Sequence, residues 1–314
     1  MVRIVWQFVV VAALGLAVAA SASAREPVAP FGQPLEVYGE PPAWIHWIQE
    51  ESPACKTLLM WMSCAEPEGG PPGLDEPLAS DRPDFTEASS TVGRGVLQIE
   101  MGYTYFRDDE NGSRLTTHSY PEVLVRLGVL ADWLELRLGW NYFDEEAVTG
   151  PLVQSASGSD DLYLGVKLGL TPQQGIWPEM ALTPQMRTPL GSPFSAGEVL
   201  PGINWLYGWD INEWLSTAGS TQVNLAIDDA TDDEYTAFAQ SWTIGYTLAE
   251  RLGAYTEWFV IAPAGAETAL TEHYFDGGFT FRASNNLQFD VRAGVGASRA
   301  SIDFFTGAGA VMRF

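Results

Sequence analysis

In Leu134-Glu135-Leu136-Arg137-Leu138-Gly139-Trp140-Asn141-Tyr142, bulky apolar residues take every even position, and charged, polar or glycine residues every odd one. Successive side chains of a strand point to opposite faces, so this alternation builds one greasy face and one polar face. The same texture returns at Leu162–Leu170, at Leu287–Ala297, and at the chain's end. There Phe304, Ala308, Ala310, Met312 and Phe314 oppose Asp303, Gly307, Gly309 and Arg313. Twelve such stretches are predicted, near 96–106, 116–129, 134–143, 161–170, 178–190, 202–210, 215–227, 235–248, 252–262, 271–283, 287–297 and 302–314.

Charge placement sorts the two faces. Glu100, Glu122, Arg126, Glu135, Arg137, Lys167, Glu179, Arg187, Glu257, Asp276, Arg282, Asp290, Arg292, Asp303 and Arg313 all have the parity opposite to the bulky apolar set of their strand. An Arg or Lys facing lipid near the bilayer midplane costs about 2–4 kcal/mol, so a lipid-facing surface excludes them. A soluble sandwich shows the same alternation with its apolar face inward. Connection lengths separate the two. Short turns are expected near 131–133, 171–177, 211–214, 249–251 and 284–286. Mostly longer connections are expected near 107–115, 144–160, 191–201, 228–234, 263–270 and 298–301. Alternating short and long connections is the habit of membrane barrels, with short periplasmic turns and longer external loops. Trp133, Trp177 and Trp214 beside the short turns suit a headgroup girdle. The fold class expected is therefore all-β, a transmembrane antiparallel up-and-down barrel of about twelve strands in the outer membrane.

The N-terminus agrees with that destination. Met1-Val2-Arg3 is followed by an apolar run from Ile4 to Ala20 and by Ser21-Ala22-Ser23-Ala24, a secretory signal with a small-residue cleavage site. The division expected is 1–24 signal peptide, 25–80 Pro/Gly-rich periplasmic arm and 81–314 barrel. Within the arm, Cys55 and Cys64 lie nine residues apart in an exported chain, and a local disulfide is expected. A metal site there is disfavoured, because only His46 is near and no CxxC spacing occurs.

Composition excludes other classes. The 314 residues carry a net charge of −24, with 40 Asp+Glu against 16 Lys+Arg, which argues against a nucleic-acid partner. At 46% hydrophobic and 18% charged, the chain is too apolar for an acidic disordered protein. No phosphate loop, dinucleotide motif or zinc spacing appears, so no cofactor or metal is expected. The expected partners are outer-membrane lipid, the barrel assembly machinery through the C-terminal strand ending at Phe314, and a small-molecule solute.

Candidate lumen-lining residues are Glu100, Arg126, Glu135, Arg137, Lys167, Arg187, Glu257, Asp276, Arg282, Asp290, Arg292 and Arg313. Inward aromatics Phe106, Tyr163, Tyr255, Phe259, Tyr274 and Phe305 narrow the interior. Two readings of the charges stand side by side, a solute pathway and mutual pairing that holds the barrel's shape. Asp81, Arg82, Asp84, Phe85 and Glu87 precede the first strand directly and are expected to enter or cap the periplasmic mouth. The acidic external runs Asp108-Asp109-Glu110 and Asp144-Glu145-Glu146 read as solvated surface. His118 and His273 lie near external strand ends and belong to no hydrolase motif, so no catalytic residue is assigned.

Ser80-Asp81-Arg82-Pro83-Asp84-Phe85-Thr86-Glu87, followed by Gly95-Val96-Leu97-Gln98-Ile99-Glu100-Met101-Gly102-Tyr103, resembles the opening of the outer-membrane family "putative MetA-pathway of phenol degradation". Asp132-Trp133-Leu134-Glu135, Asp160-Asp161-Leu162-Tyr163 and Pro201-Gly202-Ile203-Asn204 extend the resemblance, which covers about 80–314. It implies an outer-membrane β-barrel and, by association, uptake of small compounds, with aromatic or hydrophobic ones among the candidates; it assigns no individual residue. The function expected is passive passage of small molecules. The alternatives are a sealed anchoring barrel and a barrel-wall lipid hydrolase.

Overall fold

The computed structural model describes residues 57–59, 70–228 and 230–314. The proposed signal segment, Cys55 and Cys64 lie outside the described residues. Among the described residues the named elements are all strands: β1 (Leu97–Glu110), β2 (Ser113–Gly128), β3 (Leu134–Thr149), β4 (Leu152–Ser159), β5 (Leu162–Thr171), β6 (Glu179–Thr188), β7 (Leu200–Asn212), β8 (Leu215–Ile227), β9 (Glu234–Ala249), β10 (Leu252–Ala264), β11 (Glu272–Ser284), β12 (Leu287–Gly296) and β13 (Phe304–Arg313). Pairing is antiparallel throughout, and β1 pairs with β13 from Gln98↔Arg313 to Arg107↔Phe304. That pairing closes the sheet into a twelve-stranded barrel. Closure leaves no open edge, which is what hydrocarbon demands of a sheet.

β4 is the strand beyond twelve. It pairs with the outer half of β3, from Tyr142↔Ser159 to Thr149↔Leu152, while β5 pairs with the inner half, from Leu134↔Leu168 to Gly139↔Tyr163. β4 and β5 therefore act as one wall strand broken at Asp160-Asp161. This corrects two of the expected external loops. Segments 107–115 and 144–160 are largely strand, joined by tight turns at Asn111-Gly112 and around Gly150. Asn111 (φ 50°) and Gly112 (φ 80°) suit a two-residue hairpin turn, for which Asn-Gly is a strong signal. The acidic runs read as loop because they are polar on both parities. A strand that rises beyond the bilayer is wet on both faces and accommodates them.

Burial is inverted relative to a soluble protein. Arg126, Glu135 and Lys167 are 0% exposed, whereas Phe275, Phe279 and Val291 are at least 50% exposed. The ionic residues occupy the interior and the apolar ones face hydrocarbon, as the parity of charges required.

Two external connections are fastened together. Asp228, after β8, accepts hydrogen bonds from Thr268 N (2.7 Å), Thr268 Oγ1 (2.5 Å) and Ala269 N (3.3 Å), in the loop after β10. The Thr268 hydroxyl and amide hold the Asp228 carboxyl well below the ordinary carboxylate range. A depressed pKa makes the ionised form the stabilising one. The clamp is thus intact above about pH 4, the unfolded value, and is lost as pH falls through the depressed native value. Amide exchange across 263–270 should rise only under strongly acidic conditions, and Asp228→Asn should raise it at neutral pH. A second expectation concerns the lipid face. Val291→Arg, near the middle of β12, should cost about 2–4 kcal/mol in reversible unfolding from lipid vesicles.

Candidate functional site

The stretch before β1 is irregular coil, and it runs inside the barrel. Irregular backbone has N–H and C=O groups that no ladder satisfies, and buried groups of this kind need partners. The inner wall supplies them. Phe85 N and Thr86 N donate to Glu257 (2.5 and 2.8 Å), and Val92 N donates to Glu135 (2.9 Å). Lys167 Nζ donates to Ala88 O (2.7 Å), Arg126 to Ser90 O (3.1 Å), and Arg292 to Pro83 O (2.9 Å). Ser89 Oγ and Gly70 N both donate to Glu179 (2.8 and 2.7 Å). Residues 80–92 therefore form a plug whose backbone is held by wall side chains.

Two charges of the plug are hubs. Asp81 meets Arg126 (3.2 Å), Arg137 (2.6 Å) and Lys167 (3.1 Å). Glu100 and Glu135 complete the cluster around Arg126, at 3.2 and 2.8 Å. Arg82 lies along the wall and bridges Glu122 of β2 (2.9 Å) to Asp290 of β12 (3.2 Å), across β1 and β13. The wall is cut to fit it. A Cβ added at Gly102 of β1 or Gly309 of β13 would fall inside the Arg82 guanidinium. Gly128 meets the Gly93 carbonyl as closely, where the plug turns into β1.

Phe85 anchors the plug's far side. It stacks on Phe259 with ring centroids 4.4 Å apart and planes 3° apart, and Phe259 stacks on Tyr274 at 4.7 Å. Phe305 and Phe106 extend this cluster, so aromatic rings fill the lumen beside β10, β11, β13 and β1.

The opposite side, beside β5–β8, is different. Tyr163 Oη donates to Gln185 Oε1 (3.1 Å), Gln185 Nε2 to Asn224 Oδ1 (2.8 Å), and Asn224 Nδ2 to Gln222 Oε1 (3.3 Å). This belt borders a cavity of about 120 Å³ resting on the plug, with Phe85, Leu124, Leu200 and Arg187 in its lining. Outside the wall lies a second, apolar hollow of about 620 Å³ between Leu136, Leu138, Leu164, Val166 and Pro184. Arg137, Gln185 and Met186 border both. Between them the β5–β6 pairing passes from Gly165↔Gln185 to Leu168↔Leu182 without the pairs in between, where Pro184 has no N–H to give.

Of the residues singled out in the sequence, Glu100, Arg126, Glu135, Arg137 and Lys167 gather around Asp81, and Asp290 faces Arg82. Glu257 caps the amides of Phe85 and Thr86. Asp276 accepts from Tyr255 Oη (2.9 Å). Asp84 and Glu87 line the cavity, and Glu87 lies 3.2 Å from Arg137. Arg187 stands at the outer end, 3.6 Å from Asp160. Arg282 and Arg313 sit apart at the periplasmic rim, where Arg282 donates to Glu250 O (2.6 Å) and Arg313 to Gly73 O and Glu76 O (2.9 and 2.6 Å). His118 Nδ1 bonds Tyr103 Oη (2.7 Å), and His273 packs on Trp258. The amide belt and the glycine cradle were not singled out. The Gly102 and Gly309 pair carried the one readable hint, small residues on the polar parity of strands that meet.

The family model described as "Putative MetA-pathway of phenol degradation" matches residues 80–314. None of the curated proteins matches the sequence. Among solved structures, the COG4313 outer membrane channel from Pseudomonas putida F1 superposes with a TM-score of 0.54 at 14% identity, covering 74% of this chain and 99% of its own. The NanC porin gives a TM-score of 0.43 at 10% identity, covering 69% of this chain and 98% of its own. The CymD monoaromatic hydrocarbon channel gives 0.39 at 11%, covering 70% and 88%. The first likeness concerns the fold, and the other two are too distant to add to it.

Removing a partner from a buried ion pair leaves an uncompensated charge. Arg82→Ala should therefore cost about 3–5 kcal/mol. Gly309→Leu should displace the same guanidinium from the wall side. In both variants, amide exchange of 80–92 should rise while that of the strands stays near its original level.

Proposed function

The chain belongs to the family described as "Putative MetA-pathway of phenol degradation" and is an outer-membrane β-barrel with a channel fold, and we propose that it passes small, aromatic or otherwise amphipathic molecules down their gradient. The observation that carries this reading is the cavity above the plug. An apolar cavity of about 150 Å³ accepts a benzene molecule, and this one is of about 120 Å³. Its lining pairs the apolar surfaces of Phe85, Leu124 and Leu200 with the polar heads of Tyr163, Gln185 and Arg187, and the charged side chains of Asp84, Glu87 and Arg137 also border it. That combination suits a ring bearing one hydrogen-bonding group. The interrupted β5–β6 ladder beside the external apolar hollow supports a route between cavity and bilayer for the more apolar solutes. In this reading the plug is the gate for passage to the periplasm, because it underlies the cavity.

Proteoliposome swelling tests the reading. Phenol- and benzoate-sized solutes should enter faster than sugars of similar mass. Leu200→Trp, which fills the cavity, should slow aromatic entry several-fold. Deleting 81–87 should raise entry of both classes. Uptake of no solute by the intact chain or by the deletion would instead favour a sealed anchoring barrel.

A further inference from the structure

Four guanidinium groups border the cavity above the plug, those of Arg82, Arg137, Arg187 and Arg292. Three of them are taken. Arg82 is held by Glu122 and Asp290, and Arg137 by Asp81 (2.6 Å) and Glu87 (3.2 Å). Arg292 donates to Pro83 O (2.9 Å) and to Thr104 Oγ1 (3.0 Å). Arg187 differs. Among the described residues its ionic contact is with Asp160 alone, at 3.6 Å, which is longer than a hydrogen bond. Its side chain keeps 25% exposure, against 0% for Arg126 and Arg137. A guanidinium carries five N–H donors in a rigid fork, so most of this one is unspent.

The acids around it are engaged elsewhere. Asp81 and Glu100 meet Arg126, and Glu122 meets Arg82. Glu87 turns to Arg137 and Lys167. Asp84 bonds Thr243 of β9, three strands away from β6. Asp161, next to Asp160, accepts from the amides of Leu190 (3.2 Å) and Ala196 (2.9 Å).

The wall around Arg187 is arranged to leave its fork clear. Arg187 lies in register between Tyr163 of β5 and Leu200 of β7, and one layer inward the order is Gly165, Gln185, Gly202. A Cβ at Gly165 would come within 2.8 Å of Tyr163 Oη, and one at Gly202 would fall on Asn224 Oδ1. Tyr163 and Asn224 therefore lean inward across these two glycines to reach Gln185 from either side. The amide belt is the result. It leaves the guanidinium above it, with the apolar side chain of Leu200 alongside.

We propose that the cavity takes monoaromatic carboxylates, with Arg187 docking the carboxylate at the outer end while the ring lies against Leu200, Leu124 and Phe85. A carboxylate matches a guanidinium fork in geometry and charge, and such hydrogen bonds are stronger than neutral ones. This rests on the solute reading and narrows it, from ring-bearing molecules in general to anionic ones. Arg187 is then the residue that sets the preference for charge, and the apolar lining sets the preference for a ring.

Calorimetric titration of the full chain in detergent, corrected for detergent alone, tests this with benzoate, its neutral isostere benzamide, and acetate. Benzoate should bind about tenfold more tightly than benzamide, the advantage expected of a hydrogen bond to a charged group. Acetate, which has no ring, should bind more weakly than benzoate. Arg187→Gln should bring benzoate to the level of benzamide and leave benzamide unchanged, whereas Arg187→Lys should keep part of the preference. Leu200→Trp should weaken both ring compounds. Arg299→Gln, in the exposed connection after β12, should alter neither. Heat-modifiable migration on gels verifies that each variant is folded. Equal binding of benzoate and benzamide by the parent chain, a comparison that needs no variant, overturns the inference and leaves the solute reading standing. A benzoate preference that survives in Arg187→Gln does the same. Binding of neither ring compound, or ring binding unmoved by Leu200→Trp, overturns both.

Discussion

A segment of irregular backbone inside a membrane barrel has no bulk water to bond with, and this constraint organises the interior. Residues 80–92 have no strand partner. Their amides and carbonyls end on Glu257, Glu135, Lys167, Arg126 and Arg292, and the Ser89 hydroxyl on Glu179. Most of the wall's charges are therefore engaged by the plug, while Arg187 at the outer end still lines the cavity. The plug's backbone must be satisfied, and Asp81 and Arg82 return the favour by neutralising the cations and carboxylates that remain. Buried ions of both signs around Asp81 and Arg82 persist because each has an opposite charge within hydrogen-bonding reach.

The plug also divides the lumen. Phe85 seals one side by joining a stack of rings from the wall, and dispersion among those rings leaves little space there. The other side is lined by amides and hydroxyls, which pack less completely and keep a cavity.

Much of the wall was legible. Lys167 and Glu135 fall on polar parities in runs where leucine fills the other parity, and a period-two rule is local enough to read residue by residue. The external hairpins were misread because Asp108 to Glu110 and Asp144 to Glu146 are polar on both parities, which erases the period where both faces of a strand meet water. The Asn111-Gly112 turn was the overlooked signal. What the inner charges face was not readable from strands alone. The wall and the plug meet across sequence separations such as Arg82 to Asp290, and no local pattern encodes a contact of that range.

The seam where the cylinder shuts lies beside the point at which the plug leaves the wall. Leu97 and the terminal Phe314 exchange two backbone hydrogen bonds, 3.1 and 2.8 Å, while Gly95 N bonds Gly128 O at 2.9 Å just before it. Residues 80–92 thus enter and leave the lumen at the end where the cylinder shuts, and Gly95 and Leu97 tie the position of the plug directly to the closing pair of strands.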